Sequence, residues 1–179
     1  MRRILIACVS SWIVAGWAFA QEGKPAGAPD MRNLGPMARV PKKAQQDKME
    51  LNTFFKQWHA VGKKGDVNAM ADMIDFPVIM MTDDSKGNFK MEQWNRDQWI
   101  GVMKPFMDPA KMKDAKWTSK ENCFLVSDDL ASCEADVSVQ MGKMKGKYNG
   151  YSLLVRRDGK WKVKEMMEAG WGDMPAPKT

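Results

Sequence analysis

The dipeptide Asp158-Gly159 stands between two runs of alternating apolar and polar residues, 148–157 and 160–167. Asp and Gly readily adopt the positive φ angles of a two-residue hairpin turn, so this arrangement predicts two antiparallel strands. The polar turn 127–129 separates two similar runs and predicts a second hairpin. The C-terminal half of the chain is therefore expected to form an antiparallel sheet.

The region before these hairpins has the residue spacing of helices. Apolar residues recur every three or four positions over about 43–61, which predicts an amphipathic helix with one buried face. Asp66 is a candidate N-cap for a second helix, and Asn95, with Gln98 three residues later, is a capping-box start for a third. An apolar run at 76–82 predicts a buried strand between them. Helices followed by hairpins indicate the α+β class.

The start of the chain, residues 1–20, has the features of a secretory signal peptide. Two arginines precede an apolar stretch at 4–17, and an A-x-A sequence at 18–20 precedes Gln21. The apolar stretch is shorter than the ~20 residues that span a membrane, so we expect cleavage near Ala20 and no stable membrane span afterwards. The mature protein is then expected to be exported, either to the periplasm or to the medium.

The rest of the chain divides into a linker, a domain and a tail. Residues 21–42 are rich in Gly, Pro and Ala without an apolar period, which is typical of a flexible linker. Residues 43–173 carry all the predicted helices and strands, and 174–179 form a Pro-containing tail. This length is sufficient for one domain with a hydrophobic core.

The composition argues against several classes of function. The chain carries 28 Lys and Arg against 22 Asp and Glu, and removal of residues 1–20 lowers the net charge from +6 to +4. This mild charge does not suit a nucleic-acid-binding protein. One His and three Cys exclude multi-histidine and zinc-finger centres, and most methionines follow core patterns. We therefore expect no metal and no cofactor.

A series of sequence pieces links this domain to a known superfamily. Gly65-Asp66 opens the short helix, the strand 76–82 is followed by the acidic turn 83–87, and Trp94-Asn95 starts the next helix. The last of these pieces is the hairpin sequence LLVRRDGKWKVKEM at 153–166. With these pieces in this order, the domain resembles the nuclear transport factor 2-like superfamily, which includes SnoaL-like and ketosteroid isomerase-like proteins, and in particular its exported members.

The resemblance implies a curved antiparallel sheet that forms a cone, wrapped by the N-terminal helices, with a pocket inside. A small apolar molecule is the expected ligand of such a pocket, and a homodimer through the outer sheet face is the expected assembly. Large apolar side chains on the predicted inward faces, together with one Val, are the candidate ligand-binding residues: Phe55, Trp58, Met80, Trp99, Met103, Trp161 and Val163.

The acid–base residues of the ketosteroid isomerases have no counterpart here, because the first helix lacks Tyr and the first strand lacks a carboxylate. Glu165 is the first candidate instead, since period-two alternation places it on the face of Trp161 and Val163, where burial would raise its pKa. Its candidate catalytic partners are Tyr151 and His59, the one imidazole of the chain. An ordinary ion pair would equally explain Glu165, and a partly exposed helical position would explain His59.

Cys123 and Cys133 lie on either side of the turn 127–129. A three-residue loop places the two residues directly opposite each other, within disulfide range. A two-residue loop instead places Cys123 opposite Glu134 and turns the two thiols to different faces of the sheet. Both registers remain open at this point, and the first predicts a disulfide in a compartment that permits one.

The sequence leaves three functions open. The first is a non-catalytic domain that binds a small apolar ligand or a partner in its cone. The second is an isomerase, dehydratase or cyclase that uses general acid–base chemistry, and the third is a structural dimerisation module whose pocket is filled by its own side chains. An open apolar cavity favours the first, a cavity that holds Glu165 with another polar group favours the second, and a filled cone favours the third.

Overall fold

The structure is a computed structural model that describes residues 39–174. The predicted signal peptide, the linker residues before 39 and residues 175–179 lie outside the described part. The helices and strands of the described part are, in chain order, α1 (Ala44–Lys64), α2 (Val67–Asp72), β1 (Ile74–Asp83), β2 (Phe89–Trp94), α3 (Arg96–Met103), α4 (Pro109–Met112), β3 (Lys116–Ser127), β4 (Leu130–Met141), β5 (Met144–Arg157) and β6 (Lys160–Glu168).

Helix α1 follows the apolar spacing of its sequence. Leu51, Phe54 and Phe55 are buried on one of its faces, as the period of the sequence predicts. The helix continues past its predicted end and stops at Gly65, which has a φ of 68°. A Cβ at Gly65 would lie 2.5 Å from the carbonyl oxygen of Met107, so this turn needs glycine for the close approach of the chain as well.

Side-chain caps define the starts of the next helices. Asp66 accepts a hydrogen bond from the N–H of Ala69 at the start of α2. Asn95 and Gln98 form the reciprocal capping box of α3 that the sequence predicts. The apolar spacing does not predict the short helix α4, which Asp108 caps.

The six strands of the described part form one curved, unclosed sheet in the order β2-β1-β6-β5-β4-β3. β1 and β6 are parallel, and all other neighbours are antiparallel. The prediction of a wholly antiparallel sheet is therefore wrong at this pair. The connection through α3 and α4 carries the chain from the β2 edge to the opposite edge, so three consecutive hairpins bring β6 beside β1 in the same direction. The α+β class and the cone-shaped fold are confirmed.

The hydrophobic core lies between the helices and one face of the sheet. Its most deeply buried large side chains come from both layers, and include Leu51, Val78, Trp99, Leu154 and Val163. Burial of apolar surface stabilises the fold by about 25 cal/mol per Å². This core therefore fixes the helices over the concave side of the sheet.

Arg156 of β5 connects the sheet to the first helix. Its guanidinium nitrogens lie 2.6 Å from a carboxylate oxygen of Asp47 and 2.6 Å from one of Glu50, both on α1. The guanidinium also lies 4.3 Å from the centre of the Trp161 ring. Asp47 is buried, so Arg156 supplies the positive charge that a buried carboxylate needs.

Cys123 of β3 and Cys133 of β4 form a disulfide, with their Cα atoms 4.1 Å apart. The loop between the strands has only the two residues Asp128 and Asp129, which by itself would place the cysteines out of register. Val126 restores the register, because it is an unpaired bulge residue in β3. Cys123 therefore lies directly opposite Cys133, as predicted for a three-residue loop, although the loop has two residues and the extra residue is the bulge at Val126.

Candidate functional site

A β-bulge in β6 decides which carboxylate enters the cone. Val163 and Glu165 pair with consecutive residues of β5, so Lys164 between them has no partner there. The bulge reverses the alternation that follows it, and Met166 and Glu168 share the concave side with Val163. Glu165 lies on the opposite face of the sheet. The prediction that Glu165 shares the face of Val163 is wrong for this reason.

The concave side contains a cavity of about 220 Å³, which we call the large cavity. Five Trp and seven Met side chains form most of its wall. The sixteen lining residues are Trp58, Met70, Met80, Trp94, Trp99, Met103, Phe106, Met107, Met112, Trp117, Val139, Met141, Tyr148, Met166, Glu168 and Trp171. Tyr148 and Glu168 are the ionisable members of this set, so the wall is almost wholly apolar.

A second cavity of about 60 Å³, which we call the small cavity, adjoins the large one. The small cavity is more polar than the large one, because His59, Glu121 and Ser119 contribute to its wall. Five residues line both cavities, namely Trp58, Trp117, Tyr148, Met166 and Glu168. The two cavities are therefore neighbouring parts of one cone, with a more polar small part.

Glu168 is the carboxylate that both cavities share. Its Oε2 accepts a hydrogen bond from Nε1 of Trp171 at 2.8 Å. Gly150 lies opposite on β5, and a Cβ there would make an ordinary van der Waals contact with Oε1 of Glu168 at 3.5 Å. Burial raises the pKa of Glu168 and outweighs the Trp171 hydrogen bond, which lowers it. A carboxyl group in this state can donate or accept a proton closer to neutral pH than an exposed glutamate.

Tyr148 accompanies Glu168 on the walls of both cavities. Burial raises the pKa of its phenol, and the nearby carboxylate of Glu168 raises it further. The phenol therefore remains protonated at neutral pH. It can donate a hydrogen bond to a polar atom of a bound molecule.

His59 lies on the wall of the small cavity beside a second carboxylate. Its Nε2 lies 2.6 Å from Oε1 of Glu121. The imidazole also stacks on Phe55, with 6.4 Å between ring centroids, and meets the ring of Trp117 edge-on at 6.1 Å. These contacts hold the ring in one orientation within the cone.

The predicted ligand-binding residues divide between the cone and its surroundings. Trp161 lines neither cavity, and Arg156, its partner across the β5–β6 hairpin, stacks on its ring. Trp161 instead borders a surface groove beside α1. The other six predicted residues line one or both cavities: Phe55, Trp58, Met80, Trp99, Met103 and Val163.

The predicted catalytic residues do not come together. Tyr151 pairs with Met167 of β6, on the outer face, whereas Tyr148 lies on the inner face of the same strand. Glu165 is also outside both cavities, for the reason given above. Among the three candidates, only His59 lines the cone.

Sequence reasoning missed Tyr148, Glu168 and Glu121. The alternation of β5 contains a signal for Tyr148, because it shares its parity with Leu154, which is fully buried. That signal is weak, since Leu153 is apolar too and either parity fits a buried face. No feature of the sequence marks the bulge that turns Glu168 inward.

Two further observations on the described residues concern metal binding and membrane-spanning helices. Within residues 39–174, no group of three His, Cys, Asp or Glu side chains could hold a metal ion. None of the helices in this range is both long enough and apolar enough to cross a membrane.

Solved structures of other proteins share this architecture. An NTF-2 like protein of unknown function from Shewanella oneidensis MR-1 matches with a TM-score of 0.55 and 14% identity, over 68% of this chain and 98% of that one. A Shewanella frigidimarina protein whose name proposes a ketosteroid isomerase matches with a TM-score of 0.51 and 19% identity, over 65% and 91% of the two chains. A Novosphingobium aromaticivorans protein whose name proposes a scytalone dehydratase matches with a TM-score of 0.52 and 11% identity, over 70% and 84%. At these identities the likeness shows the fold alone.

The family assignment comes from the sequence itself. Among curated proteins, no sequence matches this chain. The model of the SnoaL-like domain matches residues 51–167, from within α1 to β6, which is more than half of the chain. The resemblance to this superfamily is therefore confirmed, and the chain belongs to the SnoaL-like domain family of the nuclear transport factor 2-like superfamily.

Proposed function

We propose that this domain binds a small, largely apolar molecule inside the cone. The observation that carries the proposal is the open large cavity, whose wall consists mostly of Trp and Met side chains. A cavity with such a wall and a few convergent polar groups is the usual form of a small-molecule site. Tyr148 and Glu168 are the groups that would orient the bound molecule.

The volume of the large cavity limits the size of this molecule. An apolar protein cavity of roughly 150 Å³ binds benzene. The large cavity, at about 220 Å³, is therefore suited to one or two fused rings, or to a compact aliphatic group of similar size. The methionines of the wall increase the variety of ligands that fit, because their flexible side chains adapt to different ligand shapes.

Calorimetric titration with p-cresol, indole and 2-naphthol tests this proposal. We expect saturable binding of at least one of the three, with a matching rise in melting temperature. Val139→Trp adds a ring at a position that lines the large cavity and should weaken binding at least tenfold. Ser138→Trp, at the neighbouring position on the opposite face of β4, is the matched control and should bind normally. The absence of binding by all three probes would contradict the proposal.

General acid–base catalysis is the second candidate function, and the raised pKa of Glu168 beside Tyr148 favours it. Such a pair can remove a proton next to a carbonyl group and stabilise the resulting oxyanion through the phenol. Conversion of 3-cyclohexen-1-one to its conjugated isomer, followed by absorbance, tests this chemistry. An enzyme would accelerate the conversion over buffer, and Glu168→Gln would abolish the acceleration while Glu165→Gln would retain it. A rate equal to that of buffer would reject this candidate.

We further propose that the protein is exported and forms a homodimer through the outer face of the sheet. A row of apolar side chains on neighbouring strands supports the dimer: Met91, Met81, Met167 and Tyr151. Light scattering should give twice the mass of the mature chain, and Met167→Lys should shift it to the monomer. Met49→Lys, at an exposed position of α1, should leave the dimer intact. N-terminal sequencing of the secreted or periplasmic protein should start at Gln21, and an intact Met1 would contradict export.

A further inference from the structure

The large cavity combines an aromatic wall with one carboxylate. Five Trp side chains, Phe106 and Tyr148 line it together with Glu168, and no Lys or Arg belongs to its wall. Aromatic rings carry negative charge on their faces, so a group of them attracts cations as well as apolar molecules. The composition of the wall therefore favours a positively charged ligand over a negatively charged one.

The negative charge of Glu168 also favours a positively charged ligand. Among the side chains described in residues 39–174, Glu168 has no cationic partner, and the indole N–H of Trp171 is its hydrogen-bond donor. The buried carboxylate of Asp47, by contrast, has Arg156 as its partner. A carboxylate in an apolar cavity without a counter-charge is unfavourable, and a bound cation removes this penalty.

Resting on the proposed function of the cone as a binding site, we infer that its ligand is a small organic cation, such as a quaternary or tertiary ammonium compound. The alkyl groups of the cation would contact the indole rings and methionines of the wall. Its charge would lie against the carboxylate of Glu168. A neutral ligand would leave this carboxylate uncompensated or protonated, and an anion would be repelled by it.

Protonation of Glu168 competes with the cation. In the empty cone, burial favours the neutral carboxylic acid, and the cation stabilises the ionised form, so binding releases a proton to the solvent. The titratable groups that share the walls around Glu168 are Tyr148 on β5, Glu121 on β3 and His59 on α1. Glu121 and His59 contact each other at 2.6 Å and Tyr148 remains a neutral phenol, so Glu168 is the group whose ionisation the cation controls.

Choline and its neutral carbon isostere, 3,3-dimethyl-1-butanol, provide the test, because they differ in charge and hardly in shape. Titration calorimetry on the mature full-length protein at pH 8 should show at least tenfold tighter binding of choline. Glu168→Gln should remove this preference and keep the binding of the alcohol. Glu165→Gln, on the outer face, should keep the preference. Choline affinity should rise with pH from 5 to 8, while the affinity for the alcohol stays flat.

The outcomes separate this inference from the function on which it rests. Equal or tighter binding of the alcohol would overturn the cation inference and leave the apolar binding site in place. A preference for choline that survives in Glu168→Gln would overturn the role of this carboxylate. If neither compound binds while p-cresol, indole or 2-naphthol does, the cation inference fails alone. If none of these compounds binds, the binding function fails as well.

Discussion

Glu165 and Glu168 lie on opposite faces of the same strand, and the single unpaired residue Lys164 decides which of the two faces the cone. Lys164 donates hydrogen bonds to the backbone of β1, which holds the bulge in place. Without the bulge, period-two alternation would put Glu165 inside the cone and Glu168 outside. At the scale of single residues, both candidates are glutamates, and the bulge at Lys164 determines which of them faces the cone.

Glu168→Gln should increase stability at neutral and alkaline pH. The folded-state pKa of Glu168 lies above the unfolded value of 4.5, so its contribution to stability is complete below that pH and is lost as the pH rises through the folded pKa. Glutamine keeps the hydrogen bond from Trp171 and does not ionise. Urea unfolding should give equal stabilities for the two proteins at pH 4 and a more stable variant at pH 8. A variant that is less stable by the same amount at both pH values would contradict the burial of this carboxyl group.

Arg156→Met should lower the free energy of unfolding by about 3 kcal/mol, because it leaves the buried carboxylate of Asp47 without a counter-charge. Arg157 is the matched control, since it is the next residue and its side chain is 56% exposed beside Asp75. Arg157→Met should change the stability by less than about 1 kcal/mol. Urea unfolding of both variants measures the difference, and equal losses would show that the Arg156 bridge has no special role.

At the scale of the elements, local signals were sufficient wherever the controlling residues are close in sequence. The capping box of α3 and the Asp158-Gly159 turn depend on residues within one turn of the chain, and both were predictable. The bulges at Val126 and Lys164 were not, because they depend on how a whole strand fits its neighbour. The bulge at Val126 brings Cys123 opposite Cys133, and the bulge at Lys164 turns Glu165 to the outer face of the sheet.

Gly159→Ala should destabilise the protein by about 1 kcal/mol. Gly159 has a φ of 74°, in the second position of the β5–β6 turn, where a Cβ is unfavourable. Gly101→Ala is the matched control, because Gly101 lies within α3 and an added Cβ there would have no atom within 4 Å apart from its chain neighbours and the backbone of its own helix. It should stabilise the protein by about 0.5–1 kcal/mol, since alanine favours helix. Thermal unfolding measures the stabilities of the two variants. An equal loss of stability in Gly101→Ala and Gly159→Ala would contradict this role of Gly159 in the turn.

At the scale of the whole molecule, the sequence was sufficient for the fold class and the presence of a cone, but not for its exact wall. The parallel pairing of β1 with β6 results from a crossover through α3 and α4 whose path local patterns do not specify. Trp117, Tyr148 and Glu168 line the same cavity from three different strands, β3, β5 and β6, so their proximity depends on the curvature of the sheet. Six of the seven residues expected to contact a ligand still line the cone. Apolar periodicity identifies the inward faces of α1 and α3, the apolar run identifies β1 as buried, and Val163 precedes the bulge of β6, where the alternation still holds.

Binding inside the cone requires an open apolar cavity that the side chains of the protein do not fill. Diffraction from a crystal pressurised with xenon tests this directly, because xenon enters apolar protein cavities of this size. We expect a xenon site in the large cavity, in contact with Trp99, Met103 and Met166. A cone without xenon, in which the Trp and Met side chains close the space, would contradict binding inside the cone and would favour a structural module.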